Sequence, residues 1–156
     1  MSRRGTVLIL LLSALGLAGC GGGGHTLNKS EFIANADAVC TKARADANAL
    51  PQPQSPADLV SLAQKTADLV ESTIKKLRAL KAAPKDKAVL QDNFIAPSQA
   101  ELDAARHFIA EATPVKNDVA QVEGLANQFT KDTQAIKTND SALASYGFDA
   151  CAKTNQ

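Results

Sequence analysis

The chain has 156 residues, with 17 Lys and Arg against 16 Asp and Glu, a formal net charge of +1. Near-neutrality removes the electrostatic drive for binding nucleic acid or for adsorbing wholesale to an anionic membrane. The absence of tryptophan and the single tyrosine, beside abundant alanine, argue against a sheet rich in aromatic and β-branched residues and for closely packed helices.

The first 24 residues address and attach the chain. Arg3 and Arg4 precede an apolar run at residues 7–12 that continues to Leu17. It is shorter than the roughly 20 apolar residues a permanent span needs, and it fits the h-region of a secretory signal removed from the mature protein. Leu17, Ala18, Gly19 and Cys20 match a bacterial lipobox. That resemblance implies cleavage after Gly19 and a diacylglyceryl group on the Cys20 sulfur. The alternative is an ordinary signal peptide whose cysteine later joins a disulfide. Position, small residues and h-region together favour lipidation. Arg3 and Arg4 also partly resemble a twin-arginine export signal, but Thr6 and Val7 stand where that pattern prefers Phe and Leu. Two acyl chains anchor stably where one is marginal. Glycines 21–24 then form a flexible tether with a reach of roughly 5–6 Å × √n.

Removing 19 of 156 residues leaves 137, enough for one domain, and removing Arg3 and Arg4 leaves 15 basic against 16 acidic residues, about −1. The predicted parts are a signal peptide at 1–19, the acylated cysteine and tether at 20–27, and a helical domain at 28–152. With Cys20 acylated, Cys40 and Cys151 remain, and two cysteines in an exported domain read as one disulfide. The closed loop of about 110 residues is worth roughly 4–5 kcal/mol in the chain-entropy account. Two buried free thiols are the alternative. No Cys-x-x-Cys suggests a redox-active pair.

Four amphipathic segments follow. The first opens on Asn28 as N-cap with Glu31 as capping-box partner and a Leu27/Phe32 staple. Its apolar stripe runs Ile33, Ala36, Cys40, Ala43, Ala47, Leu50, until Pro51 and Pro53 stop the helix. The second starts at Ser55 with Pro56 at N1 and Asp58 at N3. Its broad face, Leu59, Leu62, Thr66, Leu69, Thr73, Leu77 and Leu80, widened by Val60, Ala63, Ala67, Val70 and Ile74, predicts a central helix. Lys75, Lys76, Arg78 and Lys81 crowd its end. They read either as cations compensating the helix dipole or as a patch for an anionic ligand or lipid headgroup, and the dipole reading is preferred.

The third segment contains Pro97, which costs about 3 kcal/mol in a helix interior. Either the helix kinks there or it splits, with Ser98 and Glu101 as a new capping pair. The kink is preferred, because Phe94, Ile95, Leu102, Ala105, Phe108 and Ile109 still share a face. The fourth is predicted to start at Thr113 and Pro114, with a stripe through Val115, Val119, Val122, Ala126, Phe129, Thr133 and Ile136. Gly124 within it would permit a close helix contact. Asn139 and Asp140 break the pattern. A short helical turn follows, ending near Gly147 as its C′ residue, with Phe148 and Cys151 placed to dock on the first helix. The fold class is therefore all-α. Its predicted form is an antiparallel four-helix bundle, up-down-up-down, kinked at Pro97, whose C-terminal turn is tied back by the disulfide.

No catalytic motif stands out. His25 lies beside the tether, and His107 sits next to Phe108. His107 could ligate haem or a metal, which makes a haem or metal carrier one alternative function. No Glu-x-x-His pair suggests a di-iron site. Asp37, Asp46, Glu71, Asp103, Glu111 and Asp118 are scattered over polar faces and would have to converge in space to make the second alternative, an enzyme with a carboxylate site. Tyr146 reads as a packing residue. The expectation is a non-enzymatic protein without a cofactor.

The run "KSEFIANADAVC" with "SYGFDAC" near the end resembles a group of small actinobacterial lipoproteins. They share a lipobox, a first helix carrying Phe32, Ile33, Ala36, Asp37 and Cys40, and a tail carrying Tyr146, Gly147 and Cys151. The resemblance implies pairing of Cys40 with Cys151 and location on the extracytoplasmic face of the cell membrane. It implies no activity. The partners expected are the membrane, through the anchor, and an unknown protein or small apolar ligand in the cell envelope, not nucleic acid.

Overall fold

The structure, a computed structural model, describes residues 25–153. The predicted signal peptide, Cys20 and the glycines lie outside them. Helix α1 (Lys29–Asn48) begins where local chemistry demands. The Glu31 N–H donates to Asn28 Oδ1 at 3.0 Å and the Asn28 N–H donates to Glu31 Oε2 at 2.9 Å, so two orphan donors of the first turn are satisfied reciprocally. The predicted staple is present as burial, with Leu27 packed beside the fully enclosed Phe32. The buried positions of α1 are Phe32, Ala36 and Cys40. Ala47, predicted for the same stripe, is exposed and lines a crevice that also takes in residues 136–138.

Helix α2 (Pro56–Ala79) is capped by Ser55, whose Oγ accepts from the Asp58 N–H at 3.1 Å. Its deepest positions are Val60, Ala67, Ile74 and Leu77, and α1, α4 and α5 all pack on it. The segment after α2 folds back beside the start of α1. The Leu27 N–H donates to the Lys81 carbonyl at 2.7 Å, and Leu27 bridges Ala82. The last residue assigned to the tether is thus tied to the domain by its backbone.

Helix α3 (Pro84–Leu90) leads through a π-helical stretch, Gln91–Ile95, into α4 (Ala96–Ala112). The run is continuous through Pro97, with no side-chain cap at Ser98. The distortion lies one turn before the proline, where the Ala96 N–H reaches back to the Gln91 carbonyl. Proline has no N–H to offer the carbonyl four residues back. That carbonyl, on Asn93, instead accepts the Asn139 N–H at 2.9 Å. Asn139 is the N-cap of α6 (Asp140–Tyr146), so the bond withheld by Pro97 fixes the start of the C-terminal helix.

The fourth segment departs from expectation. Residues Thr113–Val115 form a 3-10 turn that extends α4, and α5 (Val119–Thr133) starts later, capped by Asp118. The Thr113 hydroxyl is spent on the Ile109 carbonyl at 2.6 Å, whereas Asp118 Oδ1 accepts the Gln121 N–H at 3.1 Å. Val119, predicted to be buried, is 53 % exposed. Gly124 faces open space: a Cβ at that position would meet nothing within 4 Å, so the glycine serves no close helix contact.

The C-terminal turn folds onto α1. Gly147, at φ 118°, ends α6 in the left-handed conformation that glycine adopts without a Cβ clash. Phe148 then meets Phe32 edge-on at 5.8 Å and stacks on Tyr146. Cys40 and Cys151 are disulfide-bonded, with Cα atoms 5.2 Å apart. The Asp37 carboxylate accepts the N–H groups of Asp149, Ala150 and Cys151 at 2.9–3.0 Å. The Arg44 guanidinium donates to the Ala150 carbonyl at 2.7 Å. Tyr146 donates to the buried Asp86 carboxylate on α3. Among the described residues the protein is helical, with a main core between α1, α2, the α3–α4 run and the tail, and a lesser one where α5 meets α2 and α4.

Candidate functional site

The second core is incompletely filled, and this makes a site. Helix α5 leans on α4 through Phe129 and Phe108, whose ring centres are 5.7 Å apart. Its core with α2 is formed at that helix's first turns, by Leu59, Val60 and Ala63. Between the three helices Ala63, Ala67, Ala105 and Ala126 present methyl groups where larger side chains would close the gap. The result is an apolar crevice of about 360 Å³, within the range of small-ligand pockets. Val70, Leu102, Glu101 and Thr130 also line it.

Thr66, Val70 and Glu101 also line a second crevice of about 390 Å³ between α1, α2, α4 and residues 136–138. Phe94 and Pro97 form part of its wall, and Cys40 lies at its far side. The two crevices adjoin at Thr66, Val70 and Glu101, together making up the groove along α2, and Arg44, Glu101 and Lys137 are polar groups of its lining.

Of the candidate residues read from sequence, Cys40 alone lines the groove, and it does so as half of the disulfide. Cys20 lies outside the described residues. Cys40 and Cys151 form the disulfide. His107 is 75 % exposed at its side chain, with Nδ1 3.3 Å from Glu111 Oε2 on the same helix. The acidic residues are held apart: Asp37 grips the tail, Asp46 pairs with Lys42, Glu71 pairs with Arg106, and Asp103 accepts from Gln99. Two carboxyls are held below their usual range, and both cap helices. Glu31 is lowered chiefly by the Asn28 N–H and then by His25, Asp118 chiefly by the Gln121 N–H. Tyr146 is pushed up to about 12, first by burial and then by the hydrogen bond and charge of Asp86. Among the described residues no cluster of three His, Cys, Asp or Glu could hold a metal ion, and no helix is long and apolar enough to cross a membrane.

Sequence reading missed the groove and the grip of Asp37. The one available signal for Asp37 was its position three residues before Cys40, which places both on neighbouring positions of one helix face. No family model, no curated protein and no solved structure matches the chain.

Proposed function

We propose that this chain is a lipid-anchored lipoprotein of the extracytoplasmic membrane face, related to the small actinobacterial group it resembles. Its helical domain binds a small apolar ligand, without catalysis, in the groove along α2. The observation that carries the binding role is the crevice of about 360 Å³ between α2, α4 and α5, floored by alanines and ringed by Leu, Val and Phe side chains. Supporting the anchor are the Leu-Ala-Gly-Cys run and the apolar segment before it. In the same reading α1, α2, the α3–α4 run and α5 are the four members of an up-down-up-down bundle. The Leu27 N–H to Lys81 carbonyl bond, which sets the start of α1 beside the end of α2, supports antiparallel neighbours for that pair.

Titrating the chain from residue 20 onward with Nile red, a neutral apolar dye, tests the ligand role. Saturable fluorescence enhancement is expected, and Ala105→Phe, which fills the crevice from α4, abolishes it while leaving helicity intact. Dye binding unchanged by that substitution would refute the site. Intact mass of the mature N-terminus tests the anchor, with a diacylglyceryl increment on Cys20 as the expected result.

A further inference from the structure

The net charge near zero conceals a segregation. From Cys20 onward there are 15 basic and 16 acidic residues, but positions 75–87 hold six of the cations and one acid, leaving nine cations and fifteen acids for the rest. The six, Lys75, Lys76, Arg78, Lys81, Lys85 and Lys87, are all exposed. Among the described residues none of them lies in an ion pair. The acid, Asp86, is buried under Tyr146. Compensating the dipole of one helix end takes about half a charge, far less than this cluster supplies.

The fold brings α3 beside the end of α2, with Lys87 Nζ 3.4 Å from the Arg78 carbonyl. Arg78 and Lys87 stand at a cleft of about 260 Å³ whose floor is Phe32, Leu77, Leu90 and Ile95. Cations beside an apolar cleft suit an anionic amphiphile, where a free phosphate would use only the cations. The second observation is position. The Leu27 N–H to Lys81 bond places the start of the domain against this cluster. Four glycines separate Cys20 from His25, five steps that span at most about 17 Å in a fully extended chain. If Cys20 is acylated, the basic end is the end held nearest the bilayer.

We infer that the face made by the end of α2 and the start of α3 docks on anionic phospholipid, seating headgroups among Arg78, Lys81, Lys85 and Lys87. This rests on the lipid-anchor reading above. The tether supplies attachment; the basic face sets orientation, holding the domain down and turning the groove along α2 in a defined direction relative to the membrane.

The test uses the chain from residue 20 onward with Cys20→Ser, so that no acyl chain contributes. Cosedimentation with vesicles of phosphatidylglycerol and phosphatidylcholine is compared with pure phosphatidylcholine, at about 50 mM and about 500 mM salt. Binding is expected only to the anionic vesicles and only at low salt. Each of Arg78→Gln, Lys81→Gln and Lys85→Gln weakens it about fivefold, and the triple variant about 100-fold. Lys65→Gln, Lys116→Gln and Lys131→Gln together, an equal charge change elsewhere, leave it nearly unchanged. All these side chains are exposed, so the variants fold. Equal binding to neutral vesicles, equal loss in both triple variants, or displacement by inorganic phosphate at matched ionic strength would each overturn the inference. A diacylated native N-terminus combined with no vesicle preference would leave the anchor standing and remove this docking face.

Discussion

The two ends of this protein are built by different means. Where the tail meets α1, the contacts are redundant: a disulfide, three N–H groups on one carboxylate, an arginine on two carbonyls, and a phenylalanine stack. Where α5 meets α2 and α4, one residue of α5 is fully buried, Val122, and Leu125, Ala126 and Phe129 are half-covered beside an open crevice. Binding regions are drawn from the less stable parts of a fold, and the groove runs from the rigid part into the loose one. The contrast teaches that the tail clamp holds α1 on one side of the groove by many contacts, while α5 is held on the other by few enclosed side chains.

The largest expected effect breaks the strong end. Replacing Cys40 and Cys151 by alanine costs about 4 kcal/mol of stability, read from the urea midpoint; a change below about 1 kcal/mol would mean that the polar contacts alone hold the tail. Next comes Asp37→Ala, which strands three backbone donors and costs about 3 kcal/mol. With the disulfide intact, amide exchange should accelerate chiefly at residues 149–151, and a uniform acceleration over the whole chain would contradict the local clamp. At the other end, Phe129→Ala costs about 1–2 kcal/mol, less than for a fully enclosed ring, and should accelerate exchange in α5 without touching α1.

Gly124→Ala sharpens the comparison from the opposite side. A Cβ there meets nothing within 4 Å, so the change stabilises α5 by about 1 kcal/mol through helix propensity; destabilisation in a thermal melt would imply a contact on that face. The smallest effect is titration of Tyr146. Its folded pKa of about 12 lies above the ordinary 10, so the neutral phenol is the form the fold favours. That stability is fully present below pH 10 and is lost as pH rises through about 12. Partial exposure limits it to under about 1 kcal/mol. Tyr146→Phe should flatten this alkaline limb of the stability curve.

Much of the fold was legible because its signals are local. Asn28 with Glu31, Ser55 with Pro56, and Gly147 after a short helix each act within a few residues, so their spacing predicted the termini that form. The start of α5 shows where local signals compete. Thr113 with Pro114 and Asp118 are both sound caps, and the choice fell to Asp118 because the Thr113 hydroxyl closes α4 instead. Gly124 and Val119 were misjudged because periodicity assigns a face to a helix without saying how much of that face a neighbour covers. The groove was illegible for the same reason: alanines at 63, 67, 105 and 126 read equally well as tight packing or as a gap.

The sequence by itself determined that this chain makes amphipathic helices, where most of them begin and stop, and that Cys40 and Cys151 were available to pair. Those are consequences of short-range sterics and hydrogen bonding. Only the tertiary structure decided that Asp37 holds a turn more than a hundred residues away, that the Asn93 carbonyl left unpaired by Pro97 secures α6, and that six cations share an end with the start of the domain. Each of these depends on distances between elements, which the folded packing sets and one-dimensional spacing does not contain.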